Sequence, residues 1–209
     1  MPNYQEVEPI VIKPNTLKDL ERYGIMKRYK DCTFENIRNK RNVPKCDIPL
    51  YKEVVEYTKH FDEHLENGTG LILKGPVGTG KTTLAVAILR ESIAQGKGGF
   101  MISMPSLLDT LLTLSKGSNE QFLQFENKIR NTPLLILDDF GAEYKTDWVS
   151  AKVDAIITER YNREKPIIIT SNLSTGEIFN KYNQRIYDRL KSTCKILTFI
   201  GASHRKELA

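Results

Sequence analysis

A short glycine-rich run has the composition of a phosphate-binding loop. It consists of Gly75, Pro76, Val77, Gly78, Thr79, Gly80, Lys81 and Thr82, with Thr83 as a further contact directly after it. Glycines at this spacing let consecutive backbone N–H groups curl around phosphate oxygens, and a following helix adds the positive end of its dipole. The spacing brings Lys81 within reach of the β- and γ-phosphates and lets the Thr82 hydroxyl ligate Mg²⁺. The run therefore predicts a site for a nucleoside triphosphate with magnesium.

Two neighbouring carboxylates follow an apolar run downstream of this loop. Residues 134–137 are Leu, Leu, Ile and Leu, as in a strand of a parallel sheet covered on both faces, and Asp138 and Asp139 come next. An α/β nucleotide enzyme holds Mg²⁺ through its water shell at this end of a buried strand, and we assign that role to Asp138. Asp139 is predicted to polarise the attacking water, as a hydrolase requires. Without the loop upstream, the same pair would favour a turn or a helix cap.

Asn172 and three arginines complete the set of candidate site residues. Asn172 follows the apolar run 166–170, and its amide can donate to the γ-phosphate or orient the water. Arg185 and Arg189 are four residues apart and share one helical face. An arginine finger offers such a guanidinium to the nucleotide of a neighbouring subunit, so a finger among these two arginines would imply a homo-oligomer. Arg205 is predicted to contact the nucleotide of its own subunit. The simpler alternatives are an Asx turn at the asparagine and a solvated helix face at the arginines.

Five apolar runs are spaced as strands that could position these residues. They lie at residues 71–73, 99–102, 134–137, 166–170 and 195–200. Helices are expected over 50–65, over 84–93 after the phosphate loop, and in two pieces between residues 103 and 130. Strands that alternate with helices in this way predict an α/β P-loop NTPase, with helices on both faces of a parallel sheet.

Length and composition limit the remaining possibilities. The 209 residues suit one large α/β domain with a short appendage. No apolar stretch is long enough for a membrane span and the first residues lack the layout of a secretion signal, so we expect no membrane partner and a cytoplasmic location. The three cysteines show no paired spacing, which gives no support to a disulfide framework or a zinc site.

Positive charge is concentrated near the start of the chain. The formal net charge is +5, and eight basic residues lie between positions 22 and 45. They are Arg22, Lys27, Arg28, Lys30, Arg38, Lys40, Arg41 and Lys45, with Tyr23, Tyr29 and Phe34 among them. Such a segment is either a solvated linker or a docking surface for nucleic acid or protein. We therefore expect a flexible lead at 1–21, a basic linker segment at 22–48 and the ATPase domain at 49–209.

Together these features resemble the AAA+ ATPases of the DnaC/DnaI helicase-loader group, including phage members. The resemblance spans about residues 23–205. The matching motifs are Gly24-Ile25-Met26-Lys27-Arg28-Tyr29, Thr33-Phe34-Glu35-Asn36, the loop at 75–82, Leu135-Ile136-Leu137-Asp138-Asp139-Phe140-Gly141-Ala142-Glu143 with Trp148, Thr170-Ser171-Asn172-Leu173, Arg185-Ile186-Tyr187-Asp188-Arg189-Leu190, and Gly201 with Arg205. Their combination is much more specific than a phosphate loop alone.

The resemblance implies an AAA+ core with a five-stranded parallel sheet sandwiched by helices, and we expect no C-terminal lid domain. It implies that Asp138 and Asp139 are the metal-linked and water-activating acids and that Asn172 is sensor 1. Arg185 is then the finger, with Arg189 beside it, and Arg205 is sensor 2. The two helical pieces between positions 103 and 130 resemble an insertion that faces single-stranded DNA in this family.

Members of this group deliver a replicative hexameric helicase to single-stranded DNA at the initiation of replication, and they cycle between ATP and ADP states. The resemblance implies the same function here, with Mg²⁺-dependent ATP hydrolysis that acts as a switch of low turnover. Loaders usually carry an N-terminal helicase-binding module, whereas about twenty residues precede the match in this chain. Docking through the short lead or the basic segment is therefore one expectation, and a truncated chain is another.

Four other functions are compatible with parts of this pattern. An IstB-type transposition helper shares the core, binds DNA and assembles with a transposase. A small P-loop kinase fits the size, although Asn172, the paired arginines and the lack of an evident acceptor lid disfavour it. A GTP switch is disfavoured because no NKxD base-reading motif occurs. A nucleotide-gated binding protein that never hydrolyses is the last alternative.

Overall fold

The computed structural model describes residues 17–39 and 47–203. Its strands are β1 (Gly70–Lys74), β2 (Phe100–Ser103), β3 (Leu135–Asp138), β4 (Ile167–Ser171) and β5 (Cys194–Thr198). They form one parallel sheet in the order β2-β3-β4-β1-β5. The five parallel strands lie close to the five apolar runs of the sequence, so the predicted α/β P-loop fold is confirmed.

Helices precede the sheet and connect its strands. They are α1 (Leu17–Arg22), α2 (Phe34–Asn39), α3 (Ile48–Lys59), α4 (Phe61–Glu66), α5 (Lys81–Ala94), α6 (Met104–Ser115), α7 (Asn119–Asn131), α8 (Asp147–Asn162), α9 (Thr175–Lys181) and α10 (Gln184–Thr193), with a short 3-10 helix at Lys27–Tyr29. Helices α1 to α5 pack on one face of the sheet, and α6 to α10 pack on the other. Within the described ranges, no helix combines the length and the apolar character that crossing a membrane requires.

The strands alternate their side chains between these two helical layers. In β1, Leu71 and Leu73 join the cluster with α5, whereas Ile72 joins the cluster on the opposite face. In β3, Ile136 and Leu137 divide between the faces in the same way. Because both faces are covered, residues 71–73 of β1 and 135–137 of β3 are all apolar, which explains why the strands read as continuous apolar runs.

Side-chain caps fix where five of the helices begin. The capping residues are Ser103 for α6, Ser118 for α7, Thr146 for α8, Ser174 for α9 and Asn183 for α10. Each side chain accepts a hydrogen bond from a backbone N–H three residues further on, which satisfies a donor that the first helical turn leaves open. The predicted start at Ser103 and the division into two helical pieces agree with α6 and α7.

The sequence prediction omits α1, α2, α8 and α9, and it joins α3 and α4 into one helix. The helix expected over 50–65 is divided into α3 and α4 at His60, whose φ of −113° and ψ of 34° are not helical. Tyr57 and Phe61 pack edge to face across this break with ring centroids 5.7 Å apart, so the apolar spacing continues through it. Helix α8 is absent from the prediction because its apolar residues form no clear stripe.

The segment ahead of the ATPase core packs onto it. Leu20 of α1, Ile25 and Ile37 of α2 are buried in the same cluster as the apolar residues of α5. The division predicted between residues 21 and 22 falls within α1. Residues 1–16 and 40–46 lie outside the described part of the chain. The predicted limits of lead and linker therefore stay a prediction.

A fully buried arginine joins the C-terminal end of α7 to the sheet. Arg160 of α8 donates from its guanidinium to five backbone carbonyls. The acceptors are Ile129 (3.0 Å), Arg130 (3.3 Å), Thr132 (2.9 Å), Pro133 (3.3 Å) and Pro166 (2.8 Å). Burial lowers the pKa of Arg160, because the charge is removed from water. These bonds satisfy carbonyls at the C-terminus of α7 and fix that helix against the start of β4.

Candidate functional site

The predicted phosphate loop lies between β1 and α5, at residues 75–80. Gly75 and Gly78 adopt φ values of 145° and 85°, which favour glycine. A Cβ at Gly75 would come within 2.3 Å of the Phe199 carbonyl oxygen, and one at Gly78 within 2.1 Å of Ser203 Oγ. The first turn of α5 contains no acidic residue. The positive end of that helix therefore faces the loop, and none of the helix's own first-turn residues offsets it with a carboxylate.

Lys81 is the first residue of α5, and its side chain turns back into the loop. It is buried, with a relative exposure of 6%. Its Nζ donates to the carbonyl oxygens of Gly75 at 2.8 Å and Pro76 at 2.7 Å. The positive charge therefore lies inside the curve of the loop, where the sequence predicts phosphate oxygens.

The other loop residues surround this ammonium group. Thr79 is buried, and its Oγ1 donates to the Pro76 carbonyl oxygen at 3.0 Å. Gly80 caps α5 in a left-handed conformation. Val77 is exposed at the tip of the loop, and Thr83 is half-buried in the first turn of the helix. The whole predicted loop is thus present as one connected turn.

The first predicted acid is joined directly to the phosphate loop. Thr82 Oγ1 donates to Asp138 Oδ1 at 2.9 Å, across 56 positions of sequence. Thr170 of β4 donates to the same oxygen at 2.5 Å. Asp138 is buried, which raises the pKa of its carboxyl, while the hydrogen bonds from Thr170 and Thr82 oppose the rise. A cation bound at the loop would stabilise the ionised form of this buried carboxylate.

The second predicted acid lies beside the first but points into solvent. Asp139 is exposed and adopts a left-handed backbone with φ of 53°. Its backbone N–H donates to Thr170 Oγ1 at 3.0 Å, so one threonine contacts both acids. The two carboxylates therefore have different environments, one buried at the loop and one open to water.

Asn172 lies at the same edge of the sheet. It follows β4 directly and is exposed. Ser171 is in register with Lys74 at the end of β1, and its carbonyl oxygen accepts from the Gly75 N–H at 3.2 Å. The asparagine therefore comes directly after a residue that contacts the start of the phosphate loop, and its role toward the γ-phosphate stays a prediction.

Tyr29 of the basic segment interacts electrostatically with the two acids of this site. Tyr29 ends the 3-10 helix and is half-buried. Burial raises the pKa of the Tyr29 hydroxyl, and the negative charges of Asp138 and Asp139 raise it further, while Arg28 opposes them. This part of the segment therefore lies within electrostatic range of both acids.

The chain after β5 runs along the phosphate loop. Asp47 accepts the backbone N–H groups of Ile200 and Gly201, each at 3.1 Å, and thereby fixes this exit. Ser203, the last described residue, lies against the loop, as the contact with a Cβ at position 78 indicates. Arg205, the predicted sensor 2, lies outside the described residues, so its contact with nucleotide stays a prediction.

The two predicted arginines of α10 are held by one aspartate of α8. Arg185 forms an ion pair with Asp154 Oδ2, and Arg189 Nη1 lies 3.2 Å from Asp154 Oδ1. Arg189 also donates to Thr158. The side chain of Arg185 is 63% exposed, whereas that of Arg189 is 19% exposed. Arg185 is therefore the more accessible of the two to a neighbouring molecule, although the structure pairs both within the chain.

The oxygen atoms at this sheet edge form a donor set that fits Mg²⁺. The Thr82 hydroxyl and the Asp138 carboxylate are in contact, and both are hard oxygen ligands of the kind that Mg²⁺ prefers. Among the described residues, the hydrogen bonds to the Asp138 carboxylate come from the two threonine hydroxyls and from the backbone of Asp139, which are all uncharged donors. Thr82 and Asp138 are therefore the residues that could hold the ion, and their role as its ligands stays a prediction.

Three residues near the acids carry no role in the sequence prediction. Thr170 bridges Asp138 and Asp139, Tyr29 approaches both, and the buried Glu143 contacts the turn that follows them. The position of Thr170 near the end of a strand, two residues before Asn172, could have indicated from the sequence that it lies at the site. The other two contacts join distant positions, and nothing in local spacing reveals them.

Comparison with known proteins gives one matching family and several related proteins. The model of the family described as IstB-like ATP binding protein matches residues 55–208. The replicative helicase loader DnaC of Escherichia coli K12 is 24% identical over 176 residues, which cover 83% of this chain and 69% of that protein. The replicative helicase loader DnaI of Bacillus subtilis 168 is 30% identical over 142 residues, which cover 66% of this chain and 44% of that protein.

A solved structure supports the same relationship. The crystal structure of the DnaC helicase loader superposes with a TM-score of 0.73 at 27% identity, covering 83% of this chain and 99% of that one. The superposition therefore covers most of this chain, and the fold is that of an AAA+ P-loop domain.

Proposed function

We propose that this chain, which belongs to the family of IstB-like ATP binding proteins, hydrolyses ATP with Mg²⁺ as a slow switch and thereby delivers a replicative hexameric helicase to single-stranded DNA. Its relatives DnaC and DnaI are named as replicative helicase loaders, which supports the second half of this proposal. The proposed setting is DNA replication initiation in the cytoplasm.

The single observation that carries the ATPase assignment is the 2.9 Å bond between Thr82 and Asp138. It joins the phosphate loop to the end of β3, which is separated from β1 by β4 in the sheet, and a P-loop NTPase holds its metal between these two groups. A surface turn with the same glycine spacing would have no reason to contact a buried carboxylate 56 positions away. The bond therefore supports a nucleotide site rather than a glycine-rich turn.

The residues around this bond have separate roles in hydrolysis. The loop amides and the Lys81 ammonium bind the phosphates, because their charges oppose those of the triphosphate. Thr82 and Asp138 would hold Mg²⁺, which would supply positive charge to offset the charge that develops on the phosphate oxygens. Asp139 accepts the proton of the attacking water, and its exposure leaves the carboxylate accessible to that water. Asn172 orients the water or donates to the γ-phosphate.

The proposed loader function also involves α6 and α7, which pack on the face of the sheet opposite α5. Helices α6 and α7 are an insertion between β2 and β3, and Arg160 anchors the end of α7 to the core. We propose that these helices face single-stranded DNA. The bound helicase is then retained or released according to whether the site holds ATP or ADP, so a low turnover suffices.

Arg185 provides a test of the proposed homo-oligomer. We expect Arg185→Ala to slow hydrolysis by on the order of 10³, since an arginine finger of a neighbour neutralises transition-state charge. Lys81→Ala subunits lack a working site of their own but still present Arg185. A mixture of the two inactive variants should therefore regain part of the wild-type rate of phosphate release at shared interfaces.

The control for this mixture is Lys191→Ala, which removes an exposed cation from the same helix and should leave the rate unchanged. Co-assembly of the two variants is verified by size-exclusion chromatography. If the co-assembled mixture stays inactive, Arg185 does not act across a subunit boundary.

A competition pull-down tests the loader function. The purified chain is immobilised and offered a replicative hexameric helicase and a transposase together, with ATP or with ADP, and with labelled single-stranded DNA. We expect retention of the helicase and of DNA with ATP, and lower retention with ADP. Retention that is independent of nucleotide would contradict the proposed switch.

An IstB-type transposition helper is the second candidate function. The observation in its favour is the family model itself, whose description names IstB-like proteins and which covers residues 55–208. In the same pull-down, retention of the transposase in place of the helicase would select this function. The loader is preferred because the named relatives over most of the chain are helicase loaders.

A further inference from the structure

The turn that carries Asp139 has an unusual backbone. Asp139 has φ of 53° and Gly141 has φ of 95°, so two of three consecutive residues after β3 are left-handed. The Ala142 N–H closes the turn on the Asp139 carbonyl oxygen at 2.9 Å. A left-handed aspartate is disfavoured unless surrounding contacts hold it. The direction of the Asp139 carboxylate therefore depends on what fixes this turn.

Strand β4 fixes one side of the turn. Thr170 accepts the Asp139 N–H at 3.0 Å, and the Phe140 N–H donates to the Thr170 carbonyl oxygen at 2.8 Å. Ser171 Oγ donates to the Phe140 carbonyl oxygen at 2.6 Å. These bonds join the turn to the strand that precedes Asn172.

Glu143 fixes the other side of the turn. Its carboxylate is almost fully buried, with 3% of the side chain exposed. Oε2 accepts the Gly141 N–H at 3.0 Å, and Oε1 accepts the Tyr182 hydroxyl. Lys181 Nζ lies 3.7 Å from Oε1 and donates to the carbonyl oxygens of Gly141, at 2.6 Å, and Glu143. The buried charge is thus matched by a cation and by donors on both of its oxygens.

The partners of Glu143 lie at the corner between α9 and α10. Lys181 is the last residue of α9, and Tyr182 precedes α10, the helix that carries Arg185. The Tyr182 ring also stacks on Phe140 within the turn, with centroids 4.5 Å apart. Glu143 therefore links the turn that carries Asp139 to this corner, and it does so without contacting the phosphate loop in its described bonds.

We propose that Glu143 is a positioning residue for ATP hydrolysis, which holds the Asp139 turn against Lys181 and Tyr182 so that the Asp139 carboxylate faces the attacking water. This inference rests on the proposed ATPase function. Glu143 itself neither binds nucleotide nor accepts a proton. Its removal releases one side of the turn, so the chemical step slows while the phosphate loop, and with it ATP affinity, is unchanged.

The test compares three variants of this link with one control. Glu143→Ala removes both acceptors, Glu143→Gln keeps one carbonyl oxygen for the Gly141 N–H, and Tyr182→Phe removes one donor but keeps the ring stack. The control is Glu177→Ala, which removes the exposed carboxylate of the α9 capping box and leaves the turn untouched. Each protein is measured for its ATP dissociation constant, its single-turnover hydrolysis rate at saturating ATP, and its melting temperature.

We expect Glu143→Ala to slow the single-turnover rate by about 10- to 100-fold, because a misplaced catalytic group costs rate of this order. Its ATP dissociation constant should stay within about two-fold of wild type, since the loop contacts are intact. Glu143→Gln and Tyr182→Phe should retain more of the rate, and Glu177→Ala all of it. If Glu143→Ala fails to fold, the other two variants of the link carry the same comparison.

Two results would overturn this inference. One is a wild-type hydrolysis rate in Glu143→Ala, Glu143→Gln and Tyr182→Phe. The other is general loosening of the domain, observed either as a parallel loss of ATP affinity and hydrolysis rate in the Glu143 variants or as an equal loss of rate in Glu177→Ala. Either result leaves wild-type hydrolysis in place, so it contradicts the positioning role alone. A wild-type chain that binds ATP but releases no phosphate would instead contradict the proposed ATPase and the positioning role with it.

Discussion

ATP affinity is expected to fall by at least about 100-fold in Lys81→Ala, because a charged hydrogen bond to a buried anion contributes roughly 1.5–3 kcal/mol and the triphosphate offers more than one such contact. Lys81 is buried, and its ammonium already lies inside the loop at hydrogen-bonding distance from Gly75 and Pro76. Alanine removes the ammonium group, so that within the loop only the backbone amides remain to bind the phosphates. Isothermal titration of ATP with Mg²⁺ into each protein measures the change.

Lys97→Ala provides the matched control for this variant. It removes a lysine that is paired with Asp62, away from the phosphate loop. Its ATP affinity should equal that of wild type. Lys81→Met, which keeps the apolar stem, distinguishes loss of charge from loosening of the loop, and should bind ATP as poorly as Lys81→Ala. Wild-type affinity in either Lys81 variant would remove this lysine from the site.

The second large effect is expected in Asp139→Asn, which should slow hydrolysis by about 10²- to 10⁴-fold, the range in which general bases contribute. Asparagine has nearly the same shape but cannot accept a proton from water. It also tolerates the left-handed backbone that residue 139 adopts, so the turn should persist. ATP affinity should stay close to wild type, since Asp139 contacts neither the loop nor Thr82 in its described bonds.

A single-turnover assay at saturating ATP separates these two expectations. Asp109→Asn, which neutralises an exposed aspartate on α6, serves as the control in the absence of DNA. An unchanged single-turnover rate in Asp139→Asn would exclude Asp139 from the chemical step. A loss of ATP binding in the same variant would mean that it acts on the phosphates or the metal instead.

The parts of the site that the sequence predicts are those with local spacing. The phosphate loop lies within eight residues, and Asp138, Asp139 and Asn172 each follow an apolar run that becomes a strand. Because the carboxyl ends of parallel strands meet at one edge, the fold brings these residues together without further information. The bond between Thr82 and Asp138 is the direct consequence.

Other parts of the site depend on contacts that the chain order does not reveal. Glu143 meets Tyr182 across 39 positions, and Arg185 pairs with Asp154 across 31. Tyr29 approaches the acids from a segment that the sequence predicts as a linker. Such contacts follow from how helices and loops pack on the sheet, and local periodicity carries no information about them.

The arginine pair shows the same limit. Spacing predicts that Arg185 and Arg189 share a helical face, and both do contact Asp154. To act on the nucleotide of a neighbouring subunit, an arginine of this pair has to give up its contact with Asp154. Spacing could not predict that competition, because Asp154 lies on a helix that the sequence prediction omits.

The most direct test of the central claim is the rate of phosphate release from ATP by the purified wild-type chain, measured with Mg²⁺ and again with excess EDTA. Thr82 and Asp138 together predict slow release with Mg²⁺ that falls to the level of Lys81→Ala in EDTA. Release at the same rate in EDTA, or no release above Lys81→Ala with Mg²⁺ and saturating ATP, would contradict the claim that this loop and these acids form a magnesium-dependent ATPase.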